Sequence, residues 1–207
     1  MSDQRRTPRQ KRSQVTHDAI VEAAARLFAE LGLEKATTAR IAEVAGVSPG
    51  SMYQYFPNKD ALVSAVFRRQ SDEQQRVFLE LAAELGTDDI PRLIGAYTRW
   101  CVGYVESQRA LFRVLLEEVP RLTGLEPTRL VDRQVAGQVR LLFQLGKSRL
   151  AIRDLDAGAI MVVRAFRYCL IPIIVEPFVD QAARDTFIEE LTDLLTTYLV
   201  APRPWRD

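Results

Sequence analysis

The chain has 207 residues, 47% of them hydrophobic and 27% charged, with a formal net charge of +1. That length and balance fit an ordinary soluble globular protein of one or two domains and exclude a disordered or fibrous chain. The small net charge hides a split, because residues 1–69 carry eleven Lys/Arg and seven Asp/Glu (11 − 7 = +4), leaving 17 − 20 = −3 for the remainder. A basic front on a mildly acidic body is the distribution expected of a polyanion-binding head.

Residues 1–13 carry Arg5, Arg6, Arg9, Lys11 and Arg12 and are expected to form a disordered basic arm. No apolar run of signal-peptide type follows them. From there on, apolar residues recur at helical spacing and no strand-like alternation persists, so the predicted fold class is all-α. Ile20, Ala24, Leu27, Phe28 and Leu31 make the first stripe, with Thr16 as its cap and Gly32 as its stop. A short helix is expected from Thr37 to Ala45, capped by Thr37, with Ile41, Val44 and Ala45 inward. After Gly46, Ser48 caps a second short helix with Pro49 at its first position, where a missing N–H costs nothing. Pro57 stops it, and Asn58 caps a long helix running from Lys59 to about Leu85. The middle of that helix, "RRQSDEQQR" at 68–76, has no apolar residue and reads as a bridge through solvent. The expected division is therefore a front domain over 14–68 and a second domain over 69–207.

The back half holds further stripes. Ile90 to Tyr104, Leu111 to Leu116, Val131 to Gly146, and Leu155 to Ile173 each repeat at helical period, as does a last helix from about Gln181 with Phe187, Leu191, Leu194, Leu195 and Tyr198 on one side. "YCLIPIIV" at 168–175 is too short to span a bilayer and contains Pro172. Cys101 and Cys169 lack metal-ligand spacing, and two buried thiols in a reducing compartment is the reading for them. No metal site or cofactor is expected.

Two short helices joined by a tight turn at Gly46 make a helix-turn-helix pattern. Ala42 and Val47 sit where the two helices would cross. The second helix has one face too polar and too small for core: Ser48, Pro49, Gly50, Ser51 and Gln54. Met52 and Phe56, at i and i+4, form its inward side, which leaves Tyr53 and Tyr55 with free hydroxyls. Such groups suit base edges and phosphates.

The segments "AARLFAELGLEKATT" (24–38), "IAEVAGVS" (41–48), "MYQYF" (52–56) and "NKDAL" (58–62), in that order and spacing, resemble the DNA-binding domain of the TetR family of transcriptional repressors, over about residues 14–63. The resemblance implies that Thr37 and Thr38 hold phosphate. It implies that Pro49, Gly50, Ser51, Tyr53, Gln54 and Tyr55 form the recognition surface, and that Lys59 clamps the DNA backbone. Some members place an Arg at the position of Ala39, and here Arg40 or the arm would take up that contact. For the back half the resemblance is architectural. It implies a helical bundle with a small-molecule inducer inside, and a dimer built on the Asp156–Val175 and Gln181–Val200 helices. Trp100, Tyr104, Phe112, Phe143 and Phe166 are candidate lining residues. Arg164 and Arg167, on the most apolar helix, are expected to meet Glu117 or Glu118, or an anionic ligand group. The implied function is a cytoplasmic, dimeric repressor on a palindromic double-stranded operator, with no membrane partner. A ligand-independent DNA-binding factor is the alternative. An all-helical enzyme is disfavoured, because the lone His17 sits among DNA-proximal residues and neither a phosphate-cradling loop nor a spaced acid pair occurs.

Overall fold

The structure, a computed structural model, describes residues 8–118, 136, 137, 139, 140, 144, 150–152 and 154–200, with side chains from Arg12 onward. Arg5, Arg6, Phe143 and most of the Val131–Gly146 stripe lie outside the described residues. The described elements are α1 (Pro8–Lys35), α2 (Thr38–Val44), α3 (Pro49–Tyr55), α4 (Lys59–Leu85), α5 (Ile90–Ser107), α6 (Arg109–Glu118), α7 (Leu155–Val175) and α8 (Gln181–Val200). No strand occurs among the described residues.

Most helix starts have a side-chain cap. Thr37, Ser48, Asn58 and Asp89 each accept a hydrogen bond from the backbone N–H three residues on. Asp154 accepts from Asp156 and Ala157, and Asp180 from Ala183. Such caps satisfy amides that have no partner inside the helix and contribute about 1 kcal/mol each. The expected start of α1 is corrected. Helical structure is described from Pro8 on, inside the basic segment assigned to disorder, and Thr16, the expected cap, lies within it, its hydroxyl donating to the Arg12 carbonyl. Near its other end, Gly32 leaves helical geometry with φ 79° and ψ 165°, so the helix kinks there.

The chain divides into two units. The first takes residues up to Arg69 together with the stretch from Ala110 that contains most of α6; the second takes Gln70–Arg109 and the remainder. The expected partition puts α6 in the back domain, and the structure groups it with the front. Leu111 and Leu115 are buried in the first unit's core alongside Ile20, Phe28, Ile41, Met52 and Leu62. Burying a leucine contributes about 1.5–3 kcal/mol, which explains why α6 is held there. Val44, expected inward, is 36% exposed, because Ile41 and Ala42 carry the buried side of α2.

In the second unit α5 packs on α8 and on α7. Gly95 and Gly103 face α8: a Cβ at Gly95 would make an ordinary contact 3.4 Å from Thr192 Cγ2, and one at Gly103 a contact 3.5 Å from Arg184 Nη2. Arg184 Nε donates to Glu106 Oε2 at 2.9 Å, tying the same two helices with a part-buried ion pair. The polar middle of α4 is not wholly solvent-facing: Gln70 is buried, and its Oε1 accepts from the Tyr104 hydroxyl. Cys101 is buried whereas Cys169 is half-buried. Helix α7 is long and apolar enough to cross a membrane by length and composition alone, a looser result than the short apolar run suggested. It carries Pro172 in its interior, which removes one helical hydrogen bond, and it packs against α5 and α8 with 33% of its apolar window buried.

Candidate nucleic-acid interface

The two short helices are locked by local chemistry. The turn after α2 places Gly46 at φ 68°, a left-handed conformation that costs glycine nothing. Its N–H donates to Glu43 O at 3.1 Å, and Val47 N–H donates to Ala42 O at 2.9 Å. These bonds satisfy carbonyls that the end of α2 would otherwise leave open. Ala42 is fully buried beneath the turn, as a close crossing requires. Helix α3 then starts on Ser48, whose Oγ accepts from Ser51 N–H at 3.1 Å and lies 2.9 Å from Ser51 Oγ. Met52 and Phe56 are buried and pin α3 to the core.

The opposite flank is open and polar. Ser48, Pro49, Gly50, Tyr53 and Gln54 are exposed, Ser51 is half-buried, and Thr37 and Arg40 are exposed on the neighbouring helix. A hydrogen bond of 3.2 Å joins Thr38 Oγ1 to the Tyr53 hydroxyl. That bridge, between residues fifteen apart in sequence, orients the phenol across the two helices. The pattern of residues does not show it. Glu43 is also exposed on α2, so the flank is polar and mixed rather than uniformly basic.

Two of the residues expected at DNA sit differently. Tyr55, expected to be free, has a half-buried ring that packs on the first unit's core and meets His17 edge-on at 6.5 Å. It lies only about 60° around the helix from Met52, close enough to the buried side to be drawn in. The His17 ring lies 5.0 Å from that of Phe56, tilted by 38°, and its Nδ1 is 3.1 Å from Asp18 Oδ1. Lys59 turns its ammonium inward, where it donates to the carbonyls of Leu33 and, at 3.2 Å, Glu34.

The ligand candidates separate. Tyr97, Trp100, Tyr104 and Phe166 form a stack in the second unit. Tyr97 is 5.5 Å from Phe166 and 6.4 Å from Trp100, and Trp100 is 4.7 Å from Tyr104, with interplanar angles of 21°, 16° and 15°. All four rings are half-buried. Burial holds the Tyr97 hydroxyl well above its usual pKa, and pushes the neighbouring Cys101 thiol up to about 12. Phe112 groups with the first unit instead. Arg164 and Arg167 are exposed, so neither is the buried cation expected on that helix. Glu117 pairs with Arg113 at 2.8 Å, and Glu118 Oε1 accepts from Leu33 N–H at 3.3 Å. Among the described residues no group of His, Cys, Asp or Glu is placed to hold a metal ion.

With this geometry in place, comparison with known proteins is decisive. The family model described as "Bacterial regulatory proteins, tetR family" matches residues 20–66, which span the two short helices and their supports. A second, "Tetracyclin repressor-like, C-terminal domain", matches residues 89–199. The chain belongs to the TetR family. The TetR-type front is similar to the HTH-type transcriptional regulator TtgR of Pseudomonas putida, with 46% identity over 54 residues, 26% of each chain. The match thus spans about a quarter of that relative's length. Two solved TetR-like structures share the fold. A TetR-family transcriptional regulator from Pectobacterium atrosepticum has TM-score 0.70 and 18% identity, over 96% of this chain and 100% of that one. NalD, the secondary repressor of the MexAB-OprM multidrug efflux pump in Pseudomonas aeruginosa, has TM-score 0.59 and 22% identity, over 93% and 98%.

Proposed function

We propose that this TetR-family chain is a cytoplasmic, dimeric transcriptional repressor that binds a palindromic DNA operator through α2 and α3 and leaves it when a small-molecule inducer binds the second unit. The observation that carries the reading is the exposed flank of Ser48, Pro49, Gly50, Tyr53 and Gln54, on a helix held rigidly from behind by Met52 and Phe56. Small and polar groups on a pinned helix suit interactions with base edges and phosphates. Thr37, Thr38 and Arg40 extend the same flank onto α2.

Dimerisation through α7 and α8 is supported by apolar side chains that the single chain leaves open. Met161 is 56% exposed, Tyr168 67% and Leu194 56%. Apolar groups gathered on two long helices favour cover by a second copy. A two-fold dimer would present two α3 helices to half-sites about 34–36 Å apart. For the inducer, the half-buried ring stack of Trp100, Tyr104 and Phe166 is the candidate lining. Ligand and DNA would be coupled by about 1–3 kcal/mol, enough for a change in affinity of about 5–150-fold.

Selection of bound duplexes from a random DNA pool tests the reading. A palindrome with half-sites one helical turn apart is expected. Recovery of no enriched sequence, or of an unpaired single site, would overturn it.

A further inference from the structure

The open side of α7 carries a charge in the middle of apolar groups. Ile160, Met161, Tyr168 and Val175 are exposed, standing four and three residues before Arg164 and four and eleven after it. Residues at those spacings share one side of a helix, so the Arg164 guanidinium rises from the centre of an apolar stripe. Arg167, one residue from Tyr168, lies to one side of that stripe and is already engaged within the chain. Helix α8 carries the opposite sign. Its exposed Leu194 stands four residues after the exposed Glu190, and the half-buried Phe187 three before it. Glu189 and Asp193 are each one residue off this line, about 100° round the helix. Neither Arg164 nor Glu190 has an ion-pair partner among the described residues.

Helices α7 and α8 pack together and are joined by residues 176–180, which makes them an antiparallel hairpin. At 1.5 Å per residue, Arg164 stands about 16 Å from the joined end of α7 and Glu190 about 14 Å from that of α8, so the two lie at nearly one height. We propose that Arg164 of each copy pairs with Glu190 of the partner subunit, and that these two ion pairs restrict the face to a second copy of the same chain. Two-fold symmetry makes the contact occur twice with the residues exchanged. A symmetry axis crossing the hairpins at their shared height sets each guanidinium level with the opposite carboxylate. Covering the stripe takes water from the arginine at its centre, and a buried guanidinium without an acid is strongly destabilising. The same requirement rejects other partners, because an apolar face that lacks the acid leaves the arginine unpaired. The pair rests on the dimer of α7 and α8 proposed above, and adds what selects the partner.

Charge exchange in the full-length protein, read by sedimentation equilibrium and native mass spectrometry, tests the pair. Both positions are exposed, so neither change disturbs the fold of a single chain, which circular dichroism checks. Arg164→Glu alone and Glu190→Arg alone each set like charges opposite one another at both sites. Each is expected to raise the dimer dissociation constant at least about tenfold at low salt, and by less at high salt. Mixed in equal amounts, the two variants set opposite charges at both sites, and a heterodimer about as tight as the wild-type dimer is expected. Combining both changes in one chain should restore the wild-type constant in the same way. Single variants that dimerise as tightly as wild type, or a mixture that shows no preference for the heterodimer, overturn the pair while the dimer stands. A wild-type chain that stays monomeric at every concentration removes the dimer itself.

Discussion

A methyl group added at Gly50 separates stability from DNA binding. Gly50 lies in α3 with nothing within 4 Å of an ideal Cβ, so Gly50→Ala meets no steric cost in the free protein. Alanine in a helix is favoured over glycine by about 0.5–1 kcal/mol, partly because the unfolded chain loses freedom. For a chain of this size that corresponds to a rise of about 1–4 °C in the unfolding midpoint. The same methyl stands on the flank proposed to meet the duplex, where backbone and DNA would have to approach closely. Loss of one such approach is expected to weaken operator binding at least about tenfold, or about 1.4 kcal/mol. Thermal unfolding measures the first effect, and fluorescence anisotropy on a selected operator duplex measures the second. A raised midpoint with unchanged affinity would refute the placement of this flank at the DNA.

Other expectations follow from single features. The Cys101 thiol, held near pKa about 12 against an ordinary 9.0, keeps its proton after the unfolded chain has lost it. The unfolded state then binds fewer protons, so stability falls as pH rises from 9 toward 12, by about 1.4 kcal/mol per pH unit at most. Urea unfolding at increasing pH should show the onset of this fall just above the ordinary thiol pKa, and Cys101→Ala should flatten it. Thr98 is fully buried, and its Oγ1 has no hydrogen-bond partner among the described residues. Thr98→Val should therefore raise stability by about 1 kcal/mol in denaturant titration. A double-mutant cycle on Arg184 and Glu106 should give a coupling of about 1 kcal/mol, because the pair is largely shielded from solvent. Deleting residues 1–12 should flatten the salt dependence of DNA binding by about 0.9 for each phosphate no longer neutralised, and an unchanged slope would remove the basic segment from the interface.

Local signals in the sequence translate directly into structure. Thr37, Ser48 and Asn58 are caps because a short polar side chain before a helix reaches the amide three residues on, whatever else the protein does. Gly46 marks the turn because few other residues adopt its φ at low cost. Helix α1 is described from Pro8 on, inside the basic segment. The density of charge around it hides the helix, because charge indicates solvation and does not by itself exclude helicity. What escapes a reading of the sequence is long-range. Gln70 sits in a stretch without one apolar residue, yet Tyr104, thirty-four residues later, gives it a buried partner. Lys59 and Leu33 are twenty-six apart, and Glu118 and Leu33 eighty-five. Periodicity assigns a residue to a face, but the groups that will confront that face depend on the tertiary packing. The apolar stripe of α7 likewise hides Arg164 and Arg167, which are exposed.

The helix-turn-helix head of this chain is not a separable cassette. Leu111 and Leu115 fill its interior although they lie some forty residues beyond Arg69, where the compact front would otherwise stop. A fragment cut at that point would open two leucine-sized holes and shed the carboxylate that closes the α1 turn. Grafting this head onto another regulator therefore calls for the later helix as well, either carried along or replaced by something of matching shape.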